Sequence, residues 1–242
     1  MGTSVRYKAQ ELPTVANGAK ITSKAGKGSS GKTFSQATST KQPTHKGVNQ
    51  NSKLKEIYTT SAFDGGDMLA LNSQNIFLNN EKWCWIFVFV DLDTTNDCAL
   101  AYSGQAGGYL SIGAGGTSIK WRPDAGKLVI PQIVSINNTN NSTTSYTFGN
   151  DVEMLAVVKD GTTAHDLLKF YNIDGNLIGQ SSAQKNSTVD FYLNGIGADS
   201  AISTSNGFKG NLIDAKFYQG SGAPTTSAAI TLYGNKYKYY KD

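Results

Sequence analysis

From Trp83 to Val90 every residue is apolar, eight positions in a row. Side chains alternate along a strand, so Trp83, Trp85, Phe87 and Phe89 share one face. Cys84, Ile86, Val88 and Val90 share the other. A strand that is apolar on both faces sits centrally and is covered twice. The run is too short to span a bilayer, which takes about 20 residues.

Around this run the chain reads as short apolar segments broken by turn clusters. Strands are predicted at Met68–Leu71, Ala99–Ser103, Tyr109–Ile112, Ser118–Arg122, Lys127–Ile130, Ile133–Ile136, Glu153–Lys159, Leu167–Tyr171, Val189–Leu193 and Asn211–Tyr218. Asp160-Gly161-Thr162-Thr163 is a hairpin signal, and Asn172–Gly175 a second turn. Asp93-Thr94-Thr95-Asn96 reads as a hairpin turn after the central strand. Asn137–Ser145 is a long polar loop. Helical character is confined to Thr225–Leu232, with Thr225 or Thr226 as N-cap. The tail Tyr233–Asp242, with four Tyr and three Lys, reads as a packed tail or edge strand. Many short strands and one helix predict an all-β, two-sheet antiparallel sandwich or jelly roll.

Before residue 56 the pattern changes. Thr14 to Ser52 shows neither alternation nor helical period and is crowded with Gly, Ser, Thr and Lys. This predicts an extended arm over residues 1–55 and a folded domain over 56–242. Charge divides at the same place. The first 55 residues hold ten Lys/Arg and one acid, Glu11; the remainder holds twelve basic and seventeen acidic residues. The net +4 is therefore the sum of a strongly cationic arm and a mildly acidic domain. Such an arm invites an anchoring role, through Arg6, Lys8, Lys20, Lys24, Lys27, Lys32, Lys41 and Lys46.

With a hairpin at 93–96, the two cysteines, Cys84 and Cys98, would lie about 23 Å apart, which predicts free buried thiols. No apolar leader opens the sequence, so no secretory signal is expected and the Asn-x-Ser/Thr sequons at Asn137, Asn140, Asn141 and Asn186 read as incidental.

Four segments in order resemble the laminin-G-like, concanavalin A-like lectin/glucanase jelly-roll domains. They are Phe63-Asp64-Gly65-Gly66-Asp67-Met68-Leu69, the run Trp85–Val90, the pair Leu155–Gly161 with Leu168–Gly175, and Gly207–Tyr218. The resemblance covers about residues 60–235. It implies a two-sheet antiparallel jelly roll, and a family that holds sugar binders, enzymes and virion surface proteins, so fold alone does not fix function.

Several motifs bear on the chemistry the chain could carry. Gly26-Lys27-Gly28-Ser29-Ser30-Gly31-Lys32-Thr33 fits the phosphate-loop pattern. That loop requires a buried strand before it and a helix after it. Neither is predicted here, so no nucleotide cofactor is expected. The Glu-x-Asp-x-x-Glu triplet of the related glucanases is absent, Glu153 stands alone, and His45 and His165 have no nucleophile beside them, which argues against an enzyme. Asp91, Asp93 and Asp97 surround one turn and suit turn formation better than calcium. Candidate glycan contacts are Tyr102, Tyr109, Trp121 and Tyr146, aromatic residues in or beside Gly- and Asn-rich loops; the competing reading places them in the core. The arm has few aromatics for base stacking, which argues against nucleic acid as a partner.

The reading that follows is a non-enzymatic virion surface protein, made in the host cytoplasm. It would be fixed to an acidic capsid surface by the arm and would display a lectin-like jelly roll to glycans. The alternative is a free-standing carbohydrate-binding module or glycan hydrolase.

Overall fold

The computed structural model describes residues 4–12, 15–26, 29–47, 59–78, 80–103, 109–122, 132–135, 146–162, 167–181, 190–198 and 206–238. Two antiparallel sheets pack face to face, and one helix lies on the outside of the first. This is the jelly-roll sandwich expected.

The first sheet is built around β7 (Trp83–Val90) and β16 (Lys209–Gln219). On one side of β7 follow β12 (Glu153–Lys159), β13 (Leu168–Tyr171) and β14 (Leu177–Gln180). On the far side of β16, two strands share one edge. β5 (Thr60–Asp64) pairs with Lys209–Leu212, and β1 (Ser4–Lys8) pairs with Asp214–Tyr218. β4 (Thr44–Lys46) then flanks β5. The second sheet runs from β11 (Gln132–Ser135) through β10 (Ser118–Arg122), β9 (Tyr109–Ile112) and β8 (Cys98–Tyr102). It continues through β15 (Phe191–Ile196), β6 (Leu69–Phe77), β3 (Thr33–Ser35) and β2 (Ser23–Ala25).

The inter-sheet core takes the Trp83, Trp85, Phe87 and Phe89 face of β7. Trp85 makes edge contacts with Phe77, Phe191 and Phe217 at ring separations of 5.0, 4.7 and 5.6 Å. The opposite face, with Cys84, Ile86 and Val88, is covered by α1 (Ser227–Lys238) through Ile230 and Tyr237. Thr226 caps this helix, its Oγ1 accepting from the Ala229 N–H at 3.2 Å. The helix extends beyond the predicted Leu232, and the tail read as a packed tail or edge strand supplies its last turns as far as Lys238.

Two expectations need correction. First, β7 and β8 do not form a hairpin; residues 91–97 carry the chain from the first sheet to the second. Cys84 and Cys98 are free and buried, in different sheets. Second, the described residues between 4 and 47 are not an arm outside the core. β1 and β4 join the first sheet, and β2 and β3 the second. Val5, Tyr7, Ala9, Leu12, Ile21 and Phe34 are all buried in the inter-sheet core. The physical reason is length. β1 buries two apolar side chains and β3 one, while β2 and β4 bury Lys24 and His45, too few apolar positions to show a period, and β1 gains its partners from distant sequence: Tyr7 hydrogen-bonds Ser61 at 2.6 Å. The predicted strand at Lys127–Ile130 lies outside the described residues, and β14 was not foreseen.

Tyr7 is fully buried, so Tyr7→Ala should cost about 3–5 kcal/mol, as Phe87→Ala should, through lost contacts and the cavity left behind. A chain lacking residues 1–47 should be insoluble or melt far lower than the full chain. Unchanged thermal melting of that truncated chain would show that the early strands add nothing to the core.

Candidate functional site

At one end of the sandwich three connections converge: the turn after β5, the crossover from β7 to β8, and the residues leading into β16. Between them lies a pocket of about 240 Å3, lined by Asp64, Asp93, Asn96, Asp97, Cys98 and Lys209, with Gly65 and Gly207 completing the wall.

Backbone bonds hold these segments together. Gly65 N–H donates to the Phe208 carbonyl at 3.1 Å, Asp93 N–H to Lys209 at 2.9 Å, and Ala99 N–H to Asn206 at 2.8 Å. The approach is close: a Cβ on Gly207 would stand 2.1 Å from the Gly65 carbonyl oxygen, and Gly65 itself has a φ of +93°. The Phe63-Asp64-Gly65-Gly66-Asp67 segment is thus a turn that only small residues permit. Asp64 Oδ1 accepts from Gly66 N–H at 2.8 Å, and Asp67 Oδ2 accepts from Asp64 N–H at 3.1 Å.

The side chains are fixed as well. Lys209 Nζ lies 2.6 Å from Asp93 Oδ2, and Lys120 Nζ lies 2.6 Å from Asp97 Oδ2. Asp93 also accepts from Thr95 N–H at 2.9 Å, and Asp97 from Ala114 N–H at 3.0 Å. The Lys209 ammonium, with Thr95, holds the Asp93 carboxyl well below the usual carboxylate range. Cys98 donates to the Asp93 carbonyl, and burial pushes its thiol up to about 11. The pocket therefore presents three carboxyl groups, the Asn96 amide and the Lys209 ammonium, with Asp93 and Lys209 held by one another.

Asp91, Asp93 and Asp97 do not converge on one point. Asp91 Oδ2 accepts from Asn211 Nδ2 at 3.0 Å, while Asp93 and Asp97 meet separate lysines. Among the described residues no group of three or more His, Cys, Asp or Glu is arranged to hold a metal ion.

Two of the four aromatic candidates are core residues. Trp121 is stacked on Phe191 at 5.0 Å inside the sandwich. Tyr102 lies against Gly195, where a Cβ would come within 2.6 Å of its ring, and it clusters with Met68 and Ala198. Neither offers an open ring to a sugar. Tyr146 is half-buried, packs on Phe148 at 5.1 Å and donates its hydroxyl to Glu153, and Tyr109 is half-buried on β9. Neither lines the pocket. Asp64, Asn96 and Lys209 were not foreseen as site residues; the signal available was the Asp-Gly-Gly-Asp turn, which marks where the chain must fold tightly.

The cations assigned to anchoring are distributed through the fold. Arg6 binds Asp214, and Lys20 donates to the Gln42 carbonyl at 2.7 Å and lies 3.9 Å from Asp67. Lys8 lies on β1, Lys24 is buried, and Lys41 and Lys46 are half-buried. Lys27 lies outside the described residues. Lys32 bonds Ser73 and the Gln74 carbonyl at 2.7 and 2.9 Å. The phosphate-loop pattern closes the β2–β3 hairpin, with Gly26 N–H donating to the Lys32 carbonyl at 2.7 Å, and Thr33 starts a strand rather than a helix.

No family model matches the sequence, and no curated protein matches it. Among solved structures, the chain is similar to the CBM40 of the Ruminococcus gnavus IT-sialidase bound to α2,3-sialyllactose. That match has 13% identity and a TM-score of 0.42, over 64% of this chain and 83% of that one. It is also similar to domain 4 of AbnA, an extracellular GH43 arabinanase of Geobacillus stearothermophilus, in complex with arabinotriose. Here the identity is 13% and the TM-score 0.45, over 97% and 100% of the two chains. A third similarity is to the receptor-binding domain of botulinum neurotoxin mosaic serotype C/D. It has 16% identity and a TM-score of 0.44, over 90% of this chain and 51% of that one.

Gly207→Ala should push the Gly65 turn away, deform the pocket and cost about 1–3 kcal/mol. A melting temperature and backbone chemical shifts equal to wild type would contradict this close approach. Asp67, just behind the pocket turn, gives a pH test. Burial, with the nearby Asp64, raises its carboxyl to about 6, and Lys20 offsets this only in part. In the unfolded chain it titrates near its ordinary value, about 3.9. The folded state therefore holds the proton over a window where the unfolded state has lost it, so this group's stabilisation is full below about 4 and declines up to about 6. The melting temperature of Asp67→Asn, relative to wild type, should rise across that window and then level off. A constant difference from pH 4 to pH 7 would refute the raised carboxyl.

Proposed function

We propose that this protein is a non-enzymatic glycan-binding module that takes a neutral sugar into the rim pocket. The observation that carries this reading is the lining itself: three carboxylates, one amide and one ammonium, fixed by backbone bonds around a recess of about 240 Å3. A sugar presents hydroxyls that both donate and accept. Carboxylates accept from them, and an ammonium and an amide donate to them. Three carboxylates against one ammonium disfavour an acidic sugar there.

Binding rather than hydrolysis is supported by the protonation pattern. Glycoside hydrolysis needs one carboxyl that keeps its proton beside one that does not. Asp93 is held ionised by Lys209, and Asp67, which is pushed up, is buried under Lys20 rather than lining the pocket. Display on a virion surface keeps the family resemblance as its support. It loses the argument from a free cationic arm, since residues within 1–55 pair into both sheets.

Saturation-transfer NMR with a panel of neutral and acidic saccharides tests the reading. Neutral sugars should give transfer that is lost in Asn96→Ala and in Lys209→Ala. Asn96 is exposed, so Asn96→Ala should change stability by less than about 0.5 kcal/mol. Transfer that survives both substitutions would move the site elsewhere. Turnover of a polysaccharide would overturn the non-enzymatic assignment.

A further inference from the structure

On the outer face of the first sheet, Arg6 and Lys216 stand directly opposite each other across β1 and β16. Like charges so placed destabilise a sheet. The neighbouring carboxylate, Asp214, does not answer both. It is fully buried, and its oxygens are engaged by the Arg6 guanidinium and by the hydroxyls of Tyr233 and Tyr237. Lys216 is left with aromatic company: its Nζ lies 4.5 Å from the Tyr218 ring centre and 5.6 Å from that of Tyr233. Among the described residues it has no carboxylate within ion-pair reach. Lys236, from the last turn of α1, is exposed and adds a third cation, 5.4 Å from the Tyr237 ring.

Lys216 is half-buried, and burial first, then Arg6 and Lys236, lower its ammonium below the ordinary value, with Asp214 pulling the other way. Around Lys216, Asp214 thus offsets its cationic neighbours only in part. Tyr218 and Tyr233, both partly exposed, put ring surface beside these charges.

We propose that Arg6, Lys216 and Lys236, with the rings of Tyr218 and Tyr233, form a binding site for one oxyanion carried on an acidic saccharide. The anion is a carboxylate or a sulfate ester. Cations gathered beside neighbouring tyrosine rings suit a compact anionic group, whereas a nucleic-acid strand is met by cations spaced along its backbone. The tyrosine rings suit the apolar face of the sugar that carries the anion. This site lies on the outer face of the first sheet, away from the residues that line the rim pocket, and it favours the opposite sign of ligand.

The full chain is titrated calorimetrically with trigalacturonate, for carboxylate, and with a carrageenan tetrasaccharide, for sulfate. At least one should bind, more weakly as salt rises. Lys216→Gln should weaken that binding about tenfold. Lys216→Arg should retain it, and Asn96→Ala should leave it unchanged. Lys216→Gln should melt no lower than wild type, because it relieves the opposed charges, so its lost binding is not a loss of fold. The proposal is overturned if neither saccharide binds at millimolar concentration or if Lys216→Gln binds as wild type does. It is also overturned if Asn96→Ala removes the binding, or if a single-stranded oligonucleotide or an acidic protein binds in place of both saccharides.

Discussion

The buried carboxylate of Asp214 ties together the two ends of the chain. Burying a charge costs several kcal/mol unless partners replace the water it loses. Here Arg6 closes a two-point contact, Nε to Oδ1 at 3.1 Å and Nη2 to Oδ2 at 2.7 Å, and two helix tyrosines complete the shell. Arg6 belongs to the first strand, Asp214 to the last, and Tyr233 and Tyr237 to the terminal helix. None of these elements can leave without exposing the charge to an incomplete set of partners. The helix in turn covers Ile86 and Val88, so the outer core depends on the same contact. The strand that supplies Arg6 also sends Val5 and Tyr7 into the inner core, so both cores are linked through one ion pair.

This arrangement changes the meaning of the charge division. A cationic first quarter and an acidic remainder look, in sequence, like a tether and a domain. In the fold, Arg6 faces Asp214 and Lys20 faces Asp67. Part of the asymmetry is therefore complementarity within one molecule. Net charge per segment reports on partners only when the segment is free to meet them.

What the sequence made legible follows the strength of each local signal. Trp83–Val90 is apolar on both faces, and its central, doubly covered position could be read directly. The Asp-Gly turn between β12 and β13 and the Thr226 cap are local chemistry and were equally legible. β2, β3 and β4 were not, because each is three residues long with one inward side chain between two outward ones. β3 and β4 gain their place by pairing with β6 and β5, and β2 joins the sheet only through its hairpin with β3, so a short window of sequence does not show where they belong. The crossover at 91–97 carried turn residues that a hairpin would also use, so the turn was visible and its destination was not. The aromatic candidates failed for a related reason: Trp121 and Tyr102 sit in strands, and which face each side chain takes depends on the register of neighbouring strands. The pocket residues come from three separate connections, so their proximity is a property of topology alone.

The two polar surfaces differ in how they are held. The rim pocket is fixed by backbone bonds among tight turns, with its carboxylates already matched to lysines or N–H groups. A ligand there must insert into a network that is largely satisfied, which favours hydroxyls that exchange one hydrogen bond for another. At the Arg6–Lys216 face Asp214 is engaged by Arg6 and two tyrosines, and Lys216 is met by rings rather than by a carboxylate. A ligand there gains by supplying charge rather than by exchanging hydrogen bonds. The first mode gives geometric selectivity that changes little with salt, and the second an attraction that salt weakens. Both draw on β16: beside β5 it carries Lys209 into the pocket, and beside β1 it carries Lys216 to the outer face.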